Sequence, residues 1–78
     1  DLVMRAELRD ALAAAVAELP AIYRAPVILR DLRGLSTEEA SRRLKVKDQT
    51  LKSRLHRGRL ILRERLAAFA GGLSLHHP

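Results

Sequence analysis

A chain of 78 residues without cysteine allows one domain with one modest hydrophobic core, and excludes a disulfide framework, thiolate metal sites and any elaborate multi-domain enzyme. Its residues are 47% apolar, with one Phe, one Tyr and no Trp, so the core is built from Leu, Ile, Val and Ala, a mixture that favours packed helices. The net charge of +6 sits in one segment: residues 42–65 hold ten basic side chains against two acidic ones, while residues 1–41 hold five against seven, the footprint of a protein that neutralises phosphates rather than of an evenly solvated surface.

Met4, Leu8, Leu12, Ala15/Val16 and Leu19 recur at spacings of three and four, the apolar stripe of one amphipathic helix over 2–18. Proline suits the first turn of a helix and not its interior, so Pro20 is expected to open a second helix over 20–32, with Ile22, Tyr23, Val27, Ile28, Leu29 and Leu32 as its apolar set. Pro26 inside that helix removes one hydrogen bond and should bend it or break it into two turns. Gly34 stops it as a left-handed cap residue.

Ser36 followed by Glu39 is a capping box that starts a third, short helix over 36–44, with Ala40 and Leu44 facing inward. Glu38 and Glu39 are thereby explained as the first turn of a helix, where their charge meets the dipole, and not as an acid/base pair. Lys45-Val46-Lys47 fits the short turn of a helix-turn-helix. Asp48 or Lys47 then caps a last helix over 48–70 with a single stripe of Leu51, Leu55, Gly58, Leu62, Leu66 and Phe69. Gly58 costs about 0.5–1 kcal/mol relative to Ala in a helix, so it marks a close approach of another helix. Gly71-Gly72 is expected to end this helix, and residues 73–78 to form a flexible tail in which His76-His77 lacks the third ligand a metal site needs.

With Leu51 and Leu55 inward, Lys52, Ser53, His56 and Arg57 are free to meet a ligand. In a helix-turn-helix the second helix lies in the major groove, where Lys or Arg donates to guanine and a hydroxyl bonds to any base edge. Lys47, Thr50, Arg54 and Arg59 lie at angles that suit phosphates, which fix register without reading sequence. Any one of these cations alone is an ordinary solvated charge. Clustered on a helix that follows a capped short helix and a tight turn, they read as a DNA-binding surface.

These same residues carry a resemblance. Leu19-Pro20, Tyr23 to Leu32, Gly34 to Ala40 and Thr50 to Arg59 resemble region four of the extracytoplasmic-function (ECF) sigma factors, and the likeness runs from about Leu12 to Leu66. It implies an all-α, four-helix domain of sigma region-four architecture, winged-helix-like but without strands, that reads the promoter element near −35 within an RNA polymerase holoenzyme. By the same resemblance, Lys52, Ser53, His56 and Arg57 match positions that approach bases. It also implies docking on the flap of the polymerase β subunit and capture by an anti-sigma factor. Two departures stand out. Lys45 occupies a turn position that the family usually gives to Gly, so this turn must accept a side chain at positive φ. Gln49 replaces another Gly near the start of the recognition helix, so the promoter sequence read here is expected to differ from the commonest one.

Leu60, Ile61 and Ile28 exceed what one apolar stripe can bury, and an apolar groove for a partner helix is expected around them. Catalysis has no support, since the three His, at 56, 76 and 77, have no paired carboxylate and no glycine-rich phosphate loop is present; no cofactor, metal or small-molecule substrate is expected. No apolar run approaches the roughly 18 residues of a membrane span and no secretory leader is visible, so a cytoplasmic protein with no membrane contact is expected. The first residue is Asp1, so the sequence is expected to belong to a longer chain. Two rival readings remain open from sequence: the helix-turn-helix output domain of a dimeric transcriptional regulator of response-regulator type, and a basic helical module that binds an acidic protein.

Overall fold

The computed structural model describes residues 2–74, with side chains described for residues 2–69. Four helices follow in order: α1 (Leu2–Glu18), α2 (Ala21–Val27, continued by a π-helical turn at Ile28–Leu32), α3 (Thr37–Leu44) and α4 (Asp48–Ser74), with no strand among the described residues. The expected all-α class and helix count are both met. No helix among the described residues is long and apolar enough to cross a membrane.

Pro20 precedes α2 as its cap, with φ −53° and ψ 143°, so its ring shapes the entry to the helix and its carbonyl accepts from the N–H groups of both Tyr23 and Arg24 at 2.9 Å. Pro26 neither breaks the helix nor ends it. It lacks an N–H and its ring crowds the preceding turn, and just beyond it, from Ile28 to Leu32, the backbone runs as a π-helix, closed by Arg33 N–H to the Ile28 carbonyl at 2.9 Å. The closure at Gly34, at φ +73°, is widened too. Leu35 N–H reaches back six residues to the Leu29 carbonyl at 2.9 Å, one residue further than the usual bond of an α-helical end.

α4 is the common partner, since α1, α2 and α3 all pack on it. Two buried clusters result. The first joins α1, α2 and α4 through Ala15, Val16, Leu19, Val27, Leu55 and Leu62, with Leu12, Ile28 and Ile61 packed against it. The second joins the π-helical turn, α3 and the start of α4 through Leu29, Ala40 and Leu51, bordered by Leu35, Leu44 and Val46. Gly58 lies where α2 crosses α4: a Cβ there would stand 2.9 Å from Val27 Cγ2 and 3.2 Å from the Tyr23 carbonyl oxygen. This is the close approach that its place in the stripe implies. Leu66 and Phe69, at the far end of the same stripe, are half-buried.

Two expectations are corrected. Met4 and Leu8 belong to the apolar stripe of α1 but are 42% and 51% exposed, because the body of the domain covers α1 only from about Ala11 onward. Periodicity reports that a face is apolar, not that something covers it. α4 does not stop at Gly71-Gly72 but passes through both to Ser74. Glycine ends a helix by turning left-handed, and where it keeps helical dihedrals it costs only about 1 kcal/mol relative to Ala. Residues 75–78, with the His76-His77 pair and the rest of the expected tail, lie outside the described residues.

Candidate nucleic-acid interface

The capping box at the start of α3 is complete: Glu39 N–H donates to Ser36 Oγ at 3.1 Å and Ser36 N–H donates to Glu39 Oε1 at 3.0 Å. The backbone N–H and then the hydroxyl of Ser36 hold the Glu39 carboxyl below its usual range. α3 ends at Lys45, which adopts the left-handed conformation at φ 56°, ψ 44°. That conformation lets Val46 N–H close on the Ser41 carbonyl at 3.0 Å and turns the chain sharply. Lysine in place of glycine there carries the Cβ penalty of about 1–2 kcal/mol for a left-handed residue.

α4 then begins with Leu51 N–H on the Lys47 carbonyl at 3.0 Å. Lys47 is thus the backbone cap, while the Asp48 carboxylate does something else: its Oδ1 accepts the hydroxyl of Ser41. Ser41 is 3% exposed, and its Oγ also lies 3.1 Å from the Glu38 carbonyl, which competes with Asp48 for the single hydroxyl proton. One buried hydroxyl therefore ties the two helices of the helix-turn-helix together, and Asp48 sits where an anion favours the helix dipole. This link and Leu51, which is fully buried, hold the start of α4 against α3.

At about 100° per residue, Leu51, Leu55, Gly58 and Leu62 fall within roughly 60° of one another. Gln49, Ser53, His56, Arg57 and Leu60 fall within about 50° of the opposite pole, and all but Leu60, which is half-buried, are exposed. Lys52 is exposed on one flank, about 90° from the buried stripe. The four residues assigned to bases are thus on one accessible surface, with Ser53, His56 and Arg57 central. Of the four assigned to phosphates, Lys47 is exposed and Thr50 and Arg54 are half-buried. Arg59 is already engaged: its Nε donates to Asp31 Oδ2 at 2.9 Å and its Nη2 to Oδ1 at 2.5 Å. That bond is the main reason the Asp31 carboxyl lies below its usual range, burial opposing it in part.

The three residues assigned to a partner are not together. Ile28 lines an open apolar groove between α1 and α2, walled by Leu12, Ala13, Val16, Ala17 and Leu32 and flanked by Arg9 and Arg24. Ile61 packs on the first buried cluster. Leu60 is half-buried on the far side of α4, with Ser53 and His56. Among the described residues no group of three or more His, Cys, Asp or Glu side chains could hold a metal ion. Sequence reasoning missed the Asp31–Arg59 pair and the Ser41–Asp48 link. The first spans 28 residues and has no local signature, whereas Ser41 and Asp48, flanking a tight turn, gave a spacing that could have been read.

A short capped helix, a sharp left-handed turn and a long helix with an exposed basic face define a helix-turn-helix DNA-binding domain. Residues 9–62 match the family model described as Sigma-70, region 4. The chain belongs to that family of sigma-factor DNA-binding domains for promoter recognition. It is 52% identical over 56 residues to the ECF RNA polymerase sigma factor SigE of Mycolicibacterium smegmatis, an alignment that covers 72% of this chain and 22% of that relative. The matched segment therefore spans about a fifth of that relative's length. No solved structure matches it.

Proposed function

We propose that this domain reads the promoter element near −35 as part of an alternative sigma factor of the ECF group, with α4 in the major groove. The observation that carries this reading is the exposed strip of Ser53, His56 and Arg57, flanked by Lys52, on a helix whose opposite face is buried through Leu51 and whose start is tied to α3 by Ser41 and Asp48. Arg57 and Lys52 donate to guanine edges, Ser53 to an adjacent base edge, and His56 accepts from a base or packs on a thymine methyl. Lys47, Thr50 and Arg54 reach phosphates and fix the register of the helix along the duplex. Arg59 joins them only by leaving Asp31, so its first role is to hold α4 on α2.

In the same reading, the groove at Ile28 receives a helix of the β-subunit flap of RNA polymerase, with an apolar face for Leu12, Val16 and Ile28 and acidic residues for Arg9 and Arg24. An anti-sigma factor that covers the groove blocks that docking. Leu60 and Ile61 lie outside the groove, so Ile28 carries the partner contact. The working compartment is the cytoplasm and the domain performs no catalysis.

Holoenzyme containing the full-length sigma factor tests the reading by salt titration on a promoter fragment. The logarithm of affinity falls linearly with the logarithm of salt concentration, at about 0.9 per phosphate neutralised, and Arg54→Ala makes the slope shallower while weakening all sequences alike. A slope that Arg54→Ala and Lys47→Ala leave unchanged removes α4 from the phosphate contact and defeats the proposal.

A further inference from the structure

We infer that Gln49 is a specificity-determining residue of the recognition helix and selects an A·T pair, through adenine, at the edge of the promoter element; the inference rests on the reading of α4 as the helix that enters the major groove. Gln49 is the second residue of α4, and the N-terminal residues of such a helix are the ones that reach base edges. Its side chain is exposed and lies on the same outward strip as Ser53 and His56. It stands one turn before Ser53, about 6 Å along the axis at 1.5 Å per residue. A base pair next to the one that Ser53 meets is within its reach.

The surroundings favour the same conclusion. The neighbouring Asp48 would repel phosphates if its carboxylate faced the duplex, but Ser41 turns it back toward α3. Among the described residues no hydrogen bond occupies the Gln49 amide, so both its N–H donor and its carbonyl acceptor are free. That pair of groups matches adenine, which presents an acceptor at N7 and a donor at N6 in the major groove, and it matches no other base in this bidentate way. Arginine and lysine elsewhere on the strip bring only donors, and Ser53 and His56 offer single contacts, so Gln49 adds a paired donor and acceptor that fits adenine and not guanine.

Selection of preferred sites from a random DNA pool by the full-length sigma factor with polymerase core tests this. The parental protein enriches adenine at one edge position of the upstream element. Gln49→Ala lowers the preference there on the order of tenfold and leaves the other positions as they were. Gln49→Glu shifts that same position toward cytosine, whose N4 donates to a carboxylate. The inference is overturned if Gln49→Ala keeps every preference, or if it weakens all sequences equally, which marks a backbone or helix-start effect. A parental holoenzyme that enriches no upstream element at all refutes the promoter reading itself, and the role of Gln49 falls with it.

Discussion

Replacing Gly58 by alanine should destabilise the domain, against the ordinary rule that alanine improves a helix. On an exposed helix interior the change gains about 1 kcal/mol from propensity. Here the new Cβ meets Val27 Cγ2 at 2.9 Å and the Tyr23 carbonyl oxygen at 3.2 Å. Val27 is 1% exposed and β-branched, so it has no free rotamer to turn into, and the second obstacle is backbone. α2 and α4 must part by several tenths of an ångström, and overpacking of this kind costs about 1–3 kcal/mol. The net effect is a loss of about 1 kcal/mol, which lowers Tm by about 4–8 °C in a domain of this size. Thermal unfolding followed by circular dichroism measures it. In a Val27→Ala background the nearest clash is gone, and adding Gly58→Ala should be less harmful by at least about 0.5 kcal/mol, the coupling expected of residues in contact. A Tm that rises on Gly58→Ala in the parental protein refutes the close approach of α2 and α4.

Leu51→Ala empties the centre of the second cluster and should cost about 2–5 kcal/mol, read by urea unfolding; a loss below about 1 kcal/mol contradicts its place in the core. Ser36→Ala removes the hydroxyl half of the capping box and should cost about 0.5–2 kcal/mol, with Ser36→Asp restoring most of the lost Tm. Asp31→Asn breaks the Arg59 pair, whose side chains are 49% and 33% exposed, so its cost is held to about 0.2–1 kcal/mol by solvent screening. Because the folded carboxyl of Asp31 lies below its ordinary value of 3.8, the pair stabilises at neutral pH, and its contribution is lost as the pH falls below 3.8 through the folded value. The stability difference between parent and Asp31→Asn should therefore shrink on acidification; a difference that grows instead contradicts the pairing.

The sequence was informative where physics is local. The Ser36 to Glu39 spacing, the strain at Lys45 and the stripe of α4 each depend on neighbours within a few residues, and each appears in the structure as read. Gly58 was legible for a related reason, since glycine in a helical stripe has few purposes apart from close packing. What stayed hidden depends on what the helices meet. Leu8 has the same spacing from Leu12 as Leu51 has from Leu55, yet it is about half exposed where Leu51 is fully buried. Pro26 announced a disturbance, but the π-helical turn at Ile28–Leu32 has no sequence signature of its own. Arg59 looked like its basic neighbours because Asp31, its partner, comes from another helix. The base-facing strip was legible as a face.

Placement of the recognition surface on α4 is tested most directly by the affinity of holoenzyme, carrying the full-length sigma factor, for a promoter fragment and for the same fragment with its upstream element scrambled. The parental protein should prefer the intact element, and Arg57→Ala should lose on the order of 1–3 kcal/mol of that preference at one base pair, with its unfolding curve unchanged. An Arg57→Ala protein, or one with Lys52, Ser53 and His56 also replaced, that keeps the full parental preference contradicts the placement of the recognition surface on α4.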